Sequence, residues 1–224
     1  LLEAIDIDGV VLCSPSKHHV EQIKKLSKTI KNIFCEKPLG LSVQEILDVK
    51  SEVEKNNLNL HVGFNRRYDP DFADLQQSIE NNEVGDIHMI KITSRDPAPP
   101  PIDYIKTSGG IFLDMTIHDF DMIKYLSNSE ISEIYVKGGC FIDPQIKKAG
   151  DVDTAIISMK LKSGVLATIN NSRKAVYGYD QRIEVLGSKG ILKVPNRLLS
   201  GLETGSSNGL SLIHISEPTR HNAI

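Results

Sequence analysis

No stretch of this 224-residue chain approaches the roughly 20 consecutive apolar residues that a membrane-crossing helix needs, and no basic segment followed by an apolar one opens it as a secretory leader would. A membrane protein is therefore not expected, and the cytosol is the default compartment. Cysteine is scarce: Cys13, Cys35 and Cys140 make an odd count with no Cys-x-x-Cys spacing, which weakens both a disulfide framework and a zinc site. Cys13 and Cys35 stand in apolar runs, where a thiol behaves as a small hydrophobe. Net charge is nearly absent at −3, which argues against a nucleic-acid partner. The local basic stretch of His18, His19, Lys24, Lys25, Lys28 and Lys31 reads as a solvated helix face. An initiator Met is missing too, since the chain starts at Leu1, and its ends are expected not to be those of a whole protein. What is present, 40% hydrophobic and 25% charged residues, excludes disordered and collagen-like classes and fits one or two globular domains.

Along the chain, Gly9 to Cys13 is apolar and β-branched and ends in Ser14-Pro15. A helical pattern follows, with Val20, Ile23 and Leu26 on one side. The same grammar repeats as a strand from Asn32 to Cys35, a turn at Pro38-Leu39-Gly40, a helix from Ser42 to Lys55 opened by a Ser42/Glu45 capping box, and a strand from Leu58 to Phe64. Strands alternating with helices of this length predict a parallel sheet covered on both faces. From about Asp86 the period changes to two. Ala155, Ile157, Met159 and Leu161 share one face, and Ser163-Gly164 and Gly187-Ser188-Lys189-Gly190 supply hairpin turns. The second half is thus expected to be an open, mostly antiparallel sheet with one face free for packing. Between the halves lie a helix at Asp71 to Asn81, a strand at Ile87 to Thr93, a loop braced by Pro97, Pro99, Pro100 and Pro101, and a helix from about Asp114 to Leu126.

Ligands of open parallel sheets bind outside the carboxyl ends of the strands. The residues there are Ser14-Pro15, Glu36-Lys37-Pro38 and Asn65-Arg66-Arg67-Tyr68. Lys37 at a strand end can meet a substrate or cofactor or be merely solvated; Arg66-Arg67 can do the same or pair with Asp69 or Asp71. A sharper feature is the run from Gly109 to Asp121. If Asp114 opens a helix, then Asp114, His118, Asp121 and Tyr125 form one polar stripe on an otherwise apolar element. Asp114 as a helix cap with His118 as a satisfied histidine is one reading. An acid-base pair, in which a carboxylate fixes the imidazole proton, is the second. A metal site is the third, and it lacks further His or Cys ligands nearby.

These residues fall into five ordered motifs: Ser14-Pro15-x-x-x-His19, Glu36-Lys37-Pro38, Gly63-Phe64-Asn65-Arg66-Arg67-Tyr68-Asp69, Gly109 to Asp121, and Ser172 to Arg182 with its Tyr177-Gly178-Tyr179-Asp180-Gln181-Arg182. On them, from about Gly9 to Asn196, the chain resembles the glucose-fructose oxidoreductase/inositol dehydrogenase (Gfo/Idh/MocA) family, and within it the inositol dehydrogenases. The resemblance implies a partial Rossmann-type parallel sheet over residues 1–63, then an α+β substrate-binding and oligomerisation domain over 64–209. It implies NAD(P)-dependent oxidation of a cyclic polyol, with myo-inositol to its 2-keto product foremost. Another inositol isomer, a pyranose or a non-catalytic sugar-sensing role are the alternatives. It further implies NAD as cofactor with NADP not excluded, a small polyol as substrate, no metal, and a homo-oligomer, dimer or tetramer. Lys37, Asp114 and His118 are the implied catalytic set: His118 takes the hydroxyl proton, Asp114 orients the imidazole, and Lys37 steadies the negative charge on oxygen. Ser14, Pro15, His19, Glu36, Lys37 and Pro38 are implied on the cofactor side. Arg66, Tyr177 and Tyr179 are implied around the polyol, with the choice between the tyrosines open. Lys17 stands where the family often carries Asn.

The family's Gly-x-Gly-x-x-Gly turn and the residue that selects NAD or NADP are not in this sequence. Truncation at both ends is accordingly expected. Leu210 to Arg220 resembles translated sequencing adapter, so 210–224 is expected to be non-native. Because the phosphate-cradling turn is missing, the 224-residue chain as written should bind NAD poorly. Isothermal calorimetry that returned a micromolar affinity would overturn this.

Overall fold

The computed structural model describes residues 7–196 and the backbone of two two-residue strands, Gly205–Ser206 and Gly209–Leu210. Apart from the Leu210 backbone, the segment read as non-native lies outside the described residues.

The first sheet is built from β1 (Gly9–Leu12), β2 (Asn32–Glu36) and β3 (Asn59–Gly63), joined by helices α1 (His19–Leu26) and α2 (Val43–Asn56). All pairs are parallel, with Leu12, Cys35 and Val62 in register. Leu12, Ile33 and Cys35 on one face meet Ile23, Leu26 and Val49 from the helices in a dry cluster. The capping box is present at α2: Ser42 Oγ accepts from Glu45 N at 3.2 Å and Glu45 Oε2 accepts from Ser42 N at 3.1 Å. The expectation of two covered faces fails among the described residues. Both crossover helices pack against each other on the same side. The opposite face is left with Val11, 66% exposed, beside Phe34 and the exposed His61, whose rings stack at 5.6 Å.

After β3 a 3₁₀ turn (Asn65–Tyr68) leads into α3 (Pro70–Glu80), capped by Asp69, which accepts from Asp71 N at 3.0 Å. The second sheet follows, with β4 (Ile87–Arg95), α4 (Ile102–Ser108), α5 (Ile117–Ser127), β5 (Ile131–Gly139), α6 (Pro144–Lys148), β6 (Thr154–Leu161), β7 (Leu166–Ser172), β8 (Asp180–Gly187) and β9 (Ile191–Val194). Its order is β5-β6-β7-β4-β8-β9, antiparallel except for the central β4–β7 pair. Alternation in β6 buries Ala155, Ile157, Met159 and Leu161, the last three in a cluster with Ile90, Ile92, Ile169, Ile183 and Val185. Met122, Ile123 and Leu126 of α5 close this cluster.

Two local readings change. The proline loop runs into a helix, α4, with Pro101 at its N-cap. Asp114 does not open α5. It lies inside a π-helical turn, Phe112–Thr116, that precedes the helix. The cause is upstream, where Gly109 and Gly110 adopt positive φ of 84° and 76° and the Asp151 carboxylate accepts from Ile111 N at 3.0 and 3.1 Å. That anchor starts the coil early and leaves one extra residue to be absorbed in a widened turn.

Candidate active site

The turns that leave β1 and β2 are tied together by one side chain. His19 is buried, with Nδ1 2.8 Å from Pro38 O and Nε2 2.8 Å from Ser14 O. It braces the strand-end loops rather than facing a cleft, while Ser14 Oγ donates to Gln22 Oε1 at 2.6 Å. Burial pushes the Cys35 thiol up to about 12, with the Glu36 charge adding to it, so this cysteine stays neutral. Cys13, in contrast to its apolar-run reading, is exposed.

The braced β2 turn aims Lys37 at the π-helical turn on the second sheet. Lys37 Nζ donates to Asp114 O at 2.6 Å and to Asp114 Oδ1 at 3.2 Å, across 77 residues of sequence. Tyr104 of α4 donates to the same Oδ1 at 2.8 Å, and Arg173 Nη1 reaches Oδ2 at 3.2 Å. Burial alone would raise the Asp114 carboxyl. Lys37, Tyr104 and Arg173 outweigh it and hold the group below its ordinary value. Tyr104 moves the other way: burial, then its bond to Asp114, pushes the phenol up to about 12 and keeps it a donor.

His118, one turn on, makes no hydrogen bond to Asp114, whose oxygens are taken by those three donors; its Nδ1 is buried without a partner among the described residues. The expected carboxylate-imidazole link is therefore absent, because the widened turn aims Asp114 at Lys37. Phe64 meets the imidazole edge-on at 6.3 Å. Burial, with the charges of Arg66 and Lys37, pushes the imidazole down to about 3. A neutral histidine has a lone pair to offer; burial and the two cations oppose a positive ring, and those cations favour the oxyanion left behind, whose charge would offset them.

Arg66 does not pair with Asp69 or Asp71. Its Nη1 binds the fully buried Asp119, which also accepts from Ser94 Oγ at 2.6 Å and Asn171 Nδ2 at 2.7 Å. Asn171 Oδ1 accepts from Thr116 Oγ1 at 2.6 Å, which fastens the π-helical turn to β7. Arg67 goes to Asp121 (Nε–Oδ2 2.8 Å) and lies 5.1 Å from the Tyr125 ring, so those members of the supposed stripe serve packing. The tyrosines divide. Tyr177 donates to the buried Asp180 at 2.6 Å and accepts from Arg95 at 2.6 Å. Tyr179 is 58% exposed; desolvation raises its phenol, with the Arg66 charge opposing and the Asp96 charge adding to the rise, so it lies within electrostatic reach of Arg66.

Sequence reading passed over Tyr104, Asp119, Asn171 and Ser94 and assigned nothing to Arg173. Two left a signal: Asn171 and Ser94 occupy inward positions of strands whose inward residues otherwise include Ala167, Ile169, Ile92 and Ile90. A polar residue at such a position requires a buried partner. Among the described residues no three His, Cys, Asp or Glu side chains gather as a metal site, and no helix is long and apolar enough to cross a membrane.

Comparison with known proteins matches residues 1–64 to the oxidoreductase family, NAD-binding Rossmann fold, and residues 72–193 to the GFO/IDH/MocA C-terminal domain. The chain is 50% identical over 196 residues to a myo-inositol 2-dehydrogenase of Thermotoga maritima, covering 88% of this chain and 59% of that protein. A solved probable dehydrogenase from the same organism superposes with a TM-score of 0.86 at 47% identity, over 93% of this chain and 63% of the other. A scyllo-inositol dehydrogenase from Lactobacillus casei, solved with bound NAD(H) and scyllo-inositol, gives a TM-score of 0.81 at 31% identity, over 93% and 64%. The chain spans about three-fifths of the length of the curated relatives it matches.

The neutral imidazole has a measurable signature. The His118 value falls from an ordinary 6.5 to about 3 on folding, so below 6.5 the unfolded chain binds a proton that the folded one refuses. The contribution is complete above pH 6.5 and is lost as pH falls toward 3. Urea unfolding between pH 7 and 4 should therefore show wild-type stability declining more steeply than that of His118→Gln. Parallel curves would mean that the ring is not held neutral.

Proposed function

The chain belongs to the GFO/IDH/MocA oxidoreductase family, and from that premise we propose that the whole protein oxidises one ring carbinol of a cyclic polyol, with myo-inositol, giving its 2-keto product, as first choice and NAD as cofactor. The observation that carries this reading is the meeting of Lys37, Asp114 and His118 at the carboxyl end of the parallel sheet, with the imidazole neutral. NAD, when bound, supplies the hydride acceptor. A nicotinamide end beside the strand-end turns is supported by His19, which ties Ser14 O to Pro38 O, the residue after the Lys37 that reaches Asp114. The phosphate-cradling turn is not in this sequence.

In this reading His118 takes the proton of the reacting hydroxyl, and Lys37 Nζ donates a hydrogen bond to the oxygen as charge grows on it. Asp114 serves the lysine, fixing its Nζ through both its side chain and its carbonyl. Arg66, held by Asp119, and Tyr179 line the polyol; Tyr177, spent on Asp180 and Arg95, does not. Residues 1–63 act as the rear half of the dinucleotide-binding domain and 64–209 as the substrate-binding and oligomerisation domain.

The outer face of the second sheet supports self-association. Leu166, Met89, Leu186 and Ile191 stand side by side on four neighbouring strands and are 49%, 41%, 40% and 46% exposed. An apolar row of this kind on a sheet face is suited to burial against a second copy.

Assayed at full length with NAD on a panel of inositols, other cyclic polyols and pyranoses, the enzyme should turn over an inositol, and His118→Ala should lower kcat by about 10²- to 10⁴-fold, the range of general acid-base catalysis. Failure on every inositol would sink the first choice of substrate. Sedimentation should find an oligomer that Met89→Glu/Leu166→Glu converts to monomer. A wild-type monomer would remove the proposed interface.

A further inference from the structure

Arg173 follows β7 directly and is among the largest fully buried side chains of the described residues. A guanidinium is always charged and is costly to bury without paired anions. Here the anions are two: Nη1 lies 3.2 Å from Asp114 Oδ2 and Nη2 lies 3.7 Å from Asp151 Oδ2, while Nε and Nη2 make no hydrogen bond among the described residues. Asp151 is itself fixed, because both its oxygens accept from Ile111 N. Gly110 leaves the space for it, since a Cβ there would come within 2.7 Å of Asp151 Oδ1. Arg173 is pinned along its own backbone, with its N–H donating to Asp153 O at 2.8 Å.

We propose that Arg173 is a positioning residue of the site, a buried strut that runs from the fixed Asp151 carboxylate to Asp114 and sets Asp114 where it holds Lys37. The strut closes a chain of alternating charge, Asp151, Arg173, Asp114, Lys37, that crosses from the second sheet to the β2 turn. Without the guanidinium, Asp114 keeps only Lys37 and Tyr104 as donors, and a carboxyl in that buried position protonates more readily. The groups that face Asp114 are Lys37 from the β2 turn, Tyr104 from α4, Arg173 after β7 and His118 from the start of α5; Asp96 after β4 lies within electrostatic reach.

The role rests on the proposed oxidation, so the test has one arm that needs no turnover. In the chain labelled with ¹³C at the aspartate carboxyls, with Asp114 assigned through Asp114→Asn, Arg173→Gln should move the Asp114 midpoint up by about one pH unit or more, the scale of an opposite charge at this range. Arg173→Lys should bring it back toward wild type. Should Arg173→Gln fail to fold, the double variant Arg173→Gln/Asp151→Asn loses one buried charge of each sign and carries the same expectation. In the full-length enzyme with NAD and the polyol it accepts, Arg173→Gln should lower kcat about tenfold or more with KM for NAD within about twofold, and Arg173→Lys should recover part of the loss. An Asp114 midpoint that is the same in wild type and the glutamine variants, or a lysine variant no better than glutamine, overturns the proposal. A wild type that turns over no polyol defeats the functional reading and leaves the titration to judge the strut.

Discussion

The contact between Lys37 Nζ and Asp114 is the constraint on which the rest of the site depends. It joins a turn of the first sheet to a turn of the second across 77 residues of sequence, and each turn is shaped to reach it. On one side His19 locks the turns after β1 and β2 to each other, so that Lys37 leaves a rigid platform. On the other side the paired glycines, the Asp151 anchor and the Thr116–Asn171 bond hold a π-helical turn that an unconstrained chain would relax to α-helix. The geometry of the pair is thus over-determined, which lets a charged side chain with 18% of its surface exposed stay in one place.

Charge is distributed around this contact with a consistent logic. Lys37, Arg66 and Arg173 are each matched to a carboxylate, Asp114, Asp119 and Asp151 in turn, so the buried cations are compensated locally. The imidazole of His118 sits among them without a carboxylate of its own. Desolvation and two neighbouring cations then act in the same direction, and the ring is neutral over the range in which an isolated histidine titrates.

Much of this was legible in the sequence, and the parts that were not share a physical cause. Alternation in β6, the capping box at α2 and the glycine turns are local patterns, and the elements they announce are present at those positions. The five ordered motifs point to Lys37, Arg66, Asp114 and His118. Three kinds of feature resisted. Helix α4, seven residues after a proline cluster, is too short to display an amphipathic period. The π-helical turn breaks the period by which a stripe would be read, so Asp121 was grouped with His118 while Asp119 carries the buried bond. Partners distant in sequence follow no spacing rule: Arg66 finds Asp119 53 residues away rather than the nearby Asp69, which is occupied in capping α3.

One feature of the second sheet bears on how such a site can be altered. Among the described residues β4 and β7 are its single parallel pair, so both strands leave the sheet at the same end, side by side, with Asp96 N donating to Ser172 O at 3.0 Å. The two exits deliver Asp96 and Arg173 as neighbours, and the sheet beneath acts as a fixed gauge for their separation. New specificity can therefore be grafted by rewriting the two segments beyond that gauge, while the strands, whose inward residues carry the core, keep their register untouched.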